Sequence, residues 1–301
     1  MLIQALSRND RRRFSIVTKE AVRVKELAFQ YPDTEEKTLK DINFTLRYGE
    51  ILGVVGPTGA GKSTLAMCLN GLIPEVIEGE LEGEVYIKEE NIQDFSVADV
   101  SEYVGFVFQE PENQLSQMTI EEEIAFGMGN LGVSRSEMEV RIKDALAQVG
   151  LTGYEKRSPL ALSGGQQQRL AIASVLAMRP SIMIMDEPTS MLDPKGKNEV
   201  YDVLQNLKGY DMTGIIIDHE VERIATYCDK ILVLNEGEVQ AFGTPEEVFT
   251  QIELLHQFQL NAPQVTEFLY RYNQEYQQDV KLSTTVKEAV ATFESEYTGK
   301  V

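Results

Sequence analysis

Ile51-Leu52-Gly53-Val54-Val55-Gly56-Pro57-Thr58-Gly59-Ala60-Gly61-Lys62-Ser63 is the stretch on which the fold turns. Ile51–Val55 has no polar side chain, which predicts a strand buried on both faces. Gly56–Ser63 fits the pattern G-x-x-x-x-G-K-[ST], and Thr64–Leu72 reads as a helix behind it. Strand, glycine turn and helix in that order make a phosphate cradle. Glycines let successive backbone N–H groups turn inward, and the helix presents its positive end to the same anion. Lys62 is then placed to reach the β- and γ-phosphates of ATP, and the Ser63 hydroxyl to ligate Mg²⁺. The candidate ATP-binding residues are Gly56, Pro57, Thr58, Gly59, Ala60, Gly61, Lys62, Ser63 and Thr64.

The flanks supply the rest of the framework. Val22–Phe29 and Ile42–Leu46 alternate apolar and polar residues, and Gly83–Ile87 with Lys88-Glu89-Glu90 reads as a strand and turn. These predict a small antiparallel sheet over residues 21–90, and embedded in it Ile51–Val55 reads as a buried parallel strand. From 119 to 160 the pattern turns helical. Thr119 with Glu122 and Ser134 with Glu137 are capping-box pairs, and Met138, Ile142, Ala145, Leu146 and Val149 recur at helical spacing. Apolar runs return at Ile182–Met185, Gly214–Ile217 and Ile231–Leu234 with helical stretches between them, the rhythm of a parallel α/β sheet. Thr244-Pro245-Glu246-Glu247 opens a helix with a cap, Pro at the first position and Glu at the third. Residues 251–301 read as a C-terminal helical extension, with Val265, Phe268, Leu269 and Tyr272 on one apolar face after Pro263.

Composition bounds the function. The 301 residues, 43% of them hydrophobic, suffice for one large α/β domain with an appendage. No run approaches the ~18 apolar residues that cross a bilayer, so the chain is expected to be soluble and to act on a membrane only through partners. Residues 1–20 contain Arg11, Arg12 and Arg13 with no apolar signal core behind them. They read as a flexible tail, where a lipid or nucleic-acid contact stays open. A net charge of −20 argues against nucleic acid as the main partner, because phosphate backbones reward Lys and Arg. Cys68 and Cys228 match no metal spacing and read as buried small apolar residues, as a reducing cytoplasm allows. His256 has no motif around it and reads as structural.

Two further motifs carry chemistry. Ser181–Glu187 is an apolar run that ends in Asp186-Glu187. A buried strand so built delivers two carboxylates at its C-terminal tip, where ligands of open α/β sheets bind. Beside a phosphate cradle, Asp186 is placed to hold Mg²⁺ through water, and Glu187 to act as the general base on the attacking water. Leu162-Ser163-Gly164-Gly165-Gln166 is a helix start with bare glycines, Ser163 as cap and Gln166 at the capping-box position. Its dipole and free N–H groups suit a second anion. By average usage this string arises by chance in fewer than roughly one in a thousand such chains, so it decides the family where the acidic pair alone would not.

With that string, residues 21–250 resemble the nucleotide-binding subunits of ATP-binding-cassette (ABC) transporters, whose signature motif it is. The resemblance implies an α/β fold: a P-loop NTPase core of the RecA-like type with an antiparallel β subdomain, an inserted helical subdomain and a C-terminal helical extension. It also implies a head-to-tail pair of ATPase subunits, homo- or heterodimeric, in which Leu162, Ser163, Gly164, Gly165 and Gln166 of one cover the γ-phosphate held by the other. By the same resemblance Tyr31 stacks on adenine, Gln109 senses Mg²⁺ and the lytic water, and Ser190-Met191-Leu192-Asp193 reaches across the dimer. His219 contacts the γ-phosphate and orients the water. The catalytic set is then Glu187, His219 and Gln109, the Mg²⁺ set Ser63, Gln109 and Asp186, and the chain an active ATPase.

Gln109-Glu110-Pro111-Glu112-Asn113-Gln114 is similar to the Gln-x-Pro-Glu/Asp-x-Gln stretch of energy-coupling-factor transporters, and the 186–196 segment and Asn261-Ala262-Pro263 resemble the same group. That implies an importer of vitamins or of cobalt or nickel ions, at the cytoplasmic face of the membrane. Its partners would be an integral membrane subunit and a substrate-binding membrane component. Another ABC importer or an exporter stays open. A translation cassette or a DNA-repair cassette fits less well, because the chain has one cassette, an acidic balance and only a short helical insert.

Overall fold

The computed structural model describes residues 20–190, 192–207 and 212–297. The expected tail at 1–19, Met191 and the residues past 297 lie outside them. Glu20, expected in the tail, already starts a strand.

Two sheets form the framework. β1 (Glu20–Gln30), β2 (Leu39–Arg47), β4 (Glu80–Ile87) and the short β5 (Glu90–Asn91) make an antiparallel sheet in the order β2-β1-β4-β5. β3 (Ile51–Val55), β6 (Val104–Val107), β7 (Ile182–Asp186), β8 (Thr213–Ile217), β9 (Lys230–Asn235) and β10 (Glu238–Gly243) make the second, in the order β10-β9-β3-β8-β7-β6. All pairings in it are parallel except β10 with β9. Ile51–Val55 is the buried parallel strand that its apolar run predicts, but it is not embedded in the antiparallel sheet. It is interleaved with it in sequence but hydrogen-bonds to β8 and β9.

The continuous apolar runs have a physical cause. In β3, Ile51 and Val55 face one core while Leu52 and Val54 face the other. Met183 and Met185 of β7 and Ile231 and Val233 of β9 join the first core, and their neighbours Ile184, Leu232 and Leu234 the second. Successive side chains point to opposite faces, so a strand covered on both sides must be apolar throughout.

One core lies between the sheets around α1 (Lys62–Leu69), with the short helices α2 (Leu72–Glu75) and α3 (Val97–Val100) near it. The helix expected over Thr64–Leu72 stops at Leu69, and Gly71 at φ +79° turns the chain. The other core collects α4 (Ile120–Asn130), α5 (Arg135–Gln148) and α6 (Gly164–Met178) with α7 (Pro194–Leu207), α8 (Val221–Tyr227) and α9 (Pro245–Phe249). The Thr119–Glu122 and Thr244–Glu247 capping boxes form as expected, each cap contributing about 1 kcal/mol. In the second expected box, Ser134 caps α5, while the Glu137 carboxylate binds the buried Arg141 guanidinium, which itself donates to Ala177 O at the end of α6.

The extension holds α10 (Ile252–Gln257), α11 (Gln264–Tyr276) and α12 (Val286–Tyr297). Leu269 is buried against Val280 and Ala289, but Phe268, placed on the same face by the sequence, is 59% exposed. Adjacent residues are about 100° apart on a helix, and only one of the two can point at a narrow core. His256 bonds Glu267 at 2.8 Å, a structural contact within the extension. Cys68 and Cys228 are buried, and burial pushes the Cys68 thiol up to about 12. No described helix is long and apolar enough to cross a membrane.

Candidate active site

Strand order assembles the site. β8 lies between β3 and β7, so the tips of those two strands stand about 10 Å apart. The gap is wide enough for a phosphate chain. Into it open the turn after β3, Asp186 at the end of β7 with Glu187 just past it, His219 two residues past β8 and Gln109 two residues past β6.

The phosphate loop, residues 56–64, joins β3 to α1. Gly61 caps α1 at φ +99°, and a Cβ there would also stand 2.9 Å from Thr38 O. At Gly56 a Cβ would lie 2.1 Å from Leu234 O. Neither position admits a side chain. Lys62 Nζ donates to Gly56 O and Pro57 O, both at 2.9 Å, folding the loop around its own cation. Burial lowers the Lys62 pKa, and the nearby Glu187 and Asp186 carboxylates oppose that shift. Thr58, Gly59 and Ser63 are exposed, so the loop's inner face is open to a ligand.

Glu187 is the hub. Its N–H donates to Ile217 O at 2.8 Å, continuing the β7–β8 ladder. Its backbone then turns left-handed, φ 45°, which is uncommon for a residue with a Cβ and concentrates at functional sites. That turn swings the carboxylate across the sheet edge. Gln109 Nε2 donates to Oε2 at 2.7 Å, and His219 Nε2 lies 2.9 Å from Oε1. The loop behind Gln109 is firmly held: Phe108 N donates to Gln114 Oε1 at 3.3 Å. The buried Glu123 carboxylate accepts from Ser116 N and Gln117 N, both at 2.8 Å. Phe108, next to Gln109 and one residue past β6, is 42% exposed.

Asp186 is 8% exposed, and its Oδ1 is buried without a hydrogen-bond partner among the described residues. Burial raises its pKa, the Ser63 hydroxyl offsets this by hydrogen bonding, and Glu187 adds to the rise. A buried carboxylate oxygen with a spare lone pair beside a serine hydroxyl suits a hard cation, and Mg²⁺ characteristically takes one or two carboxylates and completes its shell with water and phosphate oxygens.

Tyr31 sits at the rim. Its hydroxyl is 3.1 Å from Thr64 Oγ1, and its ring meets buried Phe29 edge-on at 4.8 Å between centroids. The aromatic face is thus held next to the start of α1.

The second helix start is elsewhere. Ser163 and Gln166 form the expected capping box at α6. Leu162 is buried beneath it. Ser163, Gly165, Gln166 and Asp193 line a separate cavity of about 670 Å³, to which no residue of the phosphate loop or acidic pair contributes. The Asp193 carboxylate accepts from Gly196 N at 2.7 Å and caps α7. Within one chain, therefore, Lys62, Ser63, Gln109, Asp186, Glu187 and His219 come together, while Ser163–Gln166 and Asp193 do not join them. Two residues at the cluster escape a reading of the sequence alone: Thr189 and Asp218, both buried and bonded to each other. A carboxylate directly before His219 at the end of an apolar strand was the available signal.

A phosphate loop on a parallel sheet, with a carboxylate pair two strands away, defines a P-loop nucleoside triphosphatase. The chain belongs to the ABC transporter family, whose profile matches residues 39–190, and it is an ATP-binding, ATP-hydrolysing transporter subunit. It is 39% identical over 269 residues to the energy-coupling factor transporter ATP-binding protein EcfA of Methanocaldococcus jannaschii, covering 89% of this chain and 94% of that protein. To EcfA2 of Caldanaerobacter subterraneus it is 43% identical over 252 residues, 81% of this chain and 86% of the relative. The solved structure of CbiO1 from Clostridium perfringens, part of the ABC transporter complex cbiONQ, superposes with a TM-score of 0.71 at 31% identity. It covers 87% of this chain and 100% of that one.

Proposed function

We propose that the chain powers an energy-coupling-factor importer of vitamins or of cobalt or nickel ions, from the cytoplasmic face of the membrane. In this reading two cassettes, identical or paralogous, close head to tail on two ATP, and hydrolysis reopens them. The observation that carries the closure is the separation, within one chain, of the phosphate loop from the second anion-facing helix start. A partner cassette would bring the two together. The energy-coupling-factor reading is supported by the likeness to EcfA and EcfA2 and by the Gln109–Gln114 loop, flanked in sequence by the exposed Phe108 and Met118, which leave apolar surface for a membrane subunit. Purifying the tagged chain from detergent-solubilised membranes and reconstituting what comes with it in liposomes tests this. ATP-driven uptake of a vitamin, Co²⁺ or Ni²⁺ is expected. Efflux, or purification with no integral membrane protein, would reject it.

The geometry supports the following residue roles. Glu187 acts as the base toward a water placed between it and the γ-phosphate, with Gln109 and His219 fixing its two oxygens. Ser63, Gln109 and Asp186 would hold Mg²⁺, Asp186 through water, and the ion would supply charge neutralisation on the phosphate oxygens. Lys62 and the α1 N-terminus stabilise the charge that spreads over the transferred phosphoryl group, so positioning and electrostatics do most of the work.

Two measurements probe these roles. Tyr31→Ala should weaken ATP binding by ~1–3 kcal/mol, the scale of a lost base–aromatic stack. Tyr31→Phe, which loses only the bond to Thr64, should stay close to the parent. Equal affinities for Ala and parent in a titration would remove Tyr31 from the site. Asp186→Asn separates stability from catalysis. A carboxylate whose folded-state pKa is raised favours folding below its ordinary value and loses that contribution as pH rises through the folded value. At neutral pH the charged form is therefore a liability, and the Asn variant should melt at or above the parent temperature while Mg²⁺-dependent hydrolysis falls. A clearly lower melting temperature would contradict the raised pKa.

A further inference from the structure

Asp218 lies between β8 and His219 and is 5% exposed. Its Oδ1 accepts from His219 N at 2.7 Å and from Glu220 N at 3.1 Å, and its Oδ2 accepts from Thr189 Oγ1 at 2.7 Å. Thr189 is itself 1% exposed. One carboxylate thus holds the backbone that carries His219 and, with its other oxygen, the turn that follows Glu187. A buried carboxylate is strongly disfavoured unless its lone pairs are met. Here three donors from two different loops meet them, so the side chain acts as a rivet between those loops.

The surroundings extend the connection. Glu220 pairs with Lys197 at the start of α7 and with Arg223 at 3.6 Å. Arg223 also donates to Asn198 of α7 and lies over the Tyr201 ring at 5.8 Å. The His219 loop is therefore fastened to Thr189 through Asp218 and to the first turns of α7 through Lys197–Glu220.

We propose that Asp218 is a positioning residue for ATP hydrolysis. It fixes the backbone of His219 so that the imidazole meets Glu187 and the phosphate, and it ties that loop to Thr189, two residues past Glu187. The inference rests on the role of His219 proposed above. It deepens that role by naming what sets the position of the ring.

Single-turnover hydrolysis of Mg-ATP by the full chain tests it, with ATP affinity measured in parallel. Asp218→Ala should slow hydrolysis about 10- to 100-fold, the scale of a misplaced catalytic group, and leave ATP affinity within about twofold. Asp218→Asn should recover most of the rate. Its carboxamide oxygen still accepts from both backbone N–H groups, and its amide N–H can donate to the Thr189 hydroxyl. Thr189→Val should show a smaller loss. In a His219→Ala background neither Asp218→Ala nor Thr189→Val should slow the reaction further, because the residue they position is gone. A merely structural role would cost the same factor in both backgrounds, and that result overturns the proposal. An Asn variant no faster than Ala overturns it too, since charge and not position would then matter. If Asp218→Ala does not fold, the two near-isosteric variants carry the comparison, and a parent-like rate for Thr189→Val refutes the tie. His219→Ala at the parent rate would sink the role of His219 and this inference together. A slow His219→Ala beside a fast Asp218→Ala would sink this inference alone.

Discussion

Glu187→Gln is expected to cut ATP hydrolysis about 10²- to 10⁴-fold, the range that a positioned general base contributes, without weakening ATP binding. The glutamine side chain has nearly the same shape. Its carbonyl oxygen can still accept from Gln109 and its amide can face His219, so the hydrogen bonds that hold the carboxylate at 2.7 and 2.9 Å have substitutes. What disappears is the group able to take a proton from water. The electrostatics reinforce the contrast. Glu187 raises the pKa of Asp186 and helps keep Lys62 charged. Removing its charge makes Asp186 easier to ionise and leaves one negative charge fewer beside an anionic ligand. The ATP-bound form should then accumulate as a closed pair, visible as a doubled mass by light scattering in ATP but not in ADP. Parent-like turnover would dismiss Glu187 as the base, and a variant that hydrolyses slowly but stays a single cassette in ATP would count against head-to-tail closure of two identical cassettes.

Gly164→Leu should be comparably damaging for a different reason. A Cβ at Gly164 would meet nothing within 4 Å, and the residue is not in the left-handed region. Nothing in the chain's own packing asks for glycine there, and glycine in a helix is less favourable than leucine by up to about 1 kcal/mol. The variant should therefore fold with unchanged or higher thermal stability. Gly61→Leu is the contrast: with φ +99° and Thr38 O at 2.9 Å, it should destabilise the chain itself. If the start of α6 must lie against a phosphate held by another cassette, a leucine side chain at 164 stands in the way. Hydrolysis should then fall about 10²- to 10³-fold, as when preorganised donors to a developing anion are lost. Binding of ATP to the single chain should persist, because Gly164 is remote from the phosphate loop. Loss of that binding in the stable variant would mean that both helix starts serve one site, and the pairing model would fail.

Much of this was legible residue by residue. The phosphate loop announces itself because only glycine satisfies Gly56 and Gly61 at their close approaches. Thr119, Ser163 and Thr244 cap the helices that their spacing to Glu122, Gln166 and Glu247 foretells, since both halves of a capping box lie within one turn. The apolar runs that end at Val55, Asp186 and Ile217 foretell buried strands and place chemistry at their tips. The exposure of Phe268 was not legible, because periodicity names a face without saying how wide the opposing core is. Nor was the bond from Thr189 to Asp218, because the two lie on segments that the pairing of β7 with β8 brings side by side.

By itself the amino-acid sequence determined the main strands and helices, most of their caps and the residue types that carry the chemistry, because these depend on neighbours a few residues away. Only the tertiary structure decided that β3 leaves the antiparallel sheet, that β8 inserts between β3 and β7, and that Glu187 lies between Gln109 and His219 while Ser163 opens onto another cavity. Those facts depend on which distant strands share hydrogen bonds and on two cores being filled at once, and no local stretch encodes that.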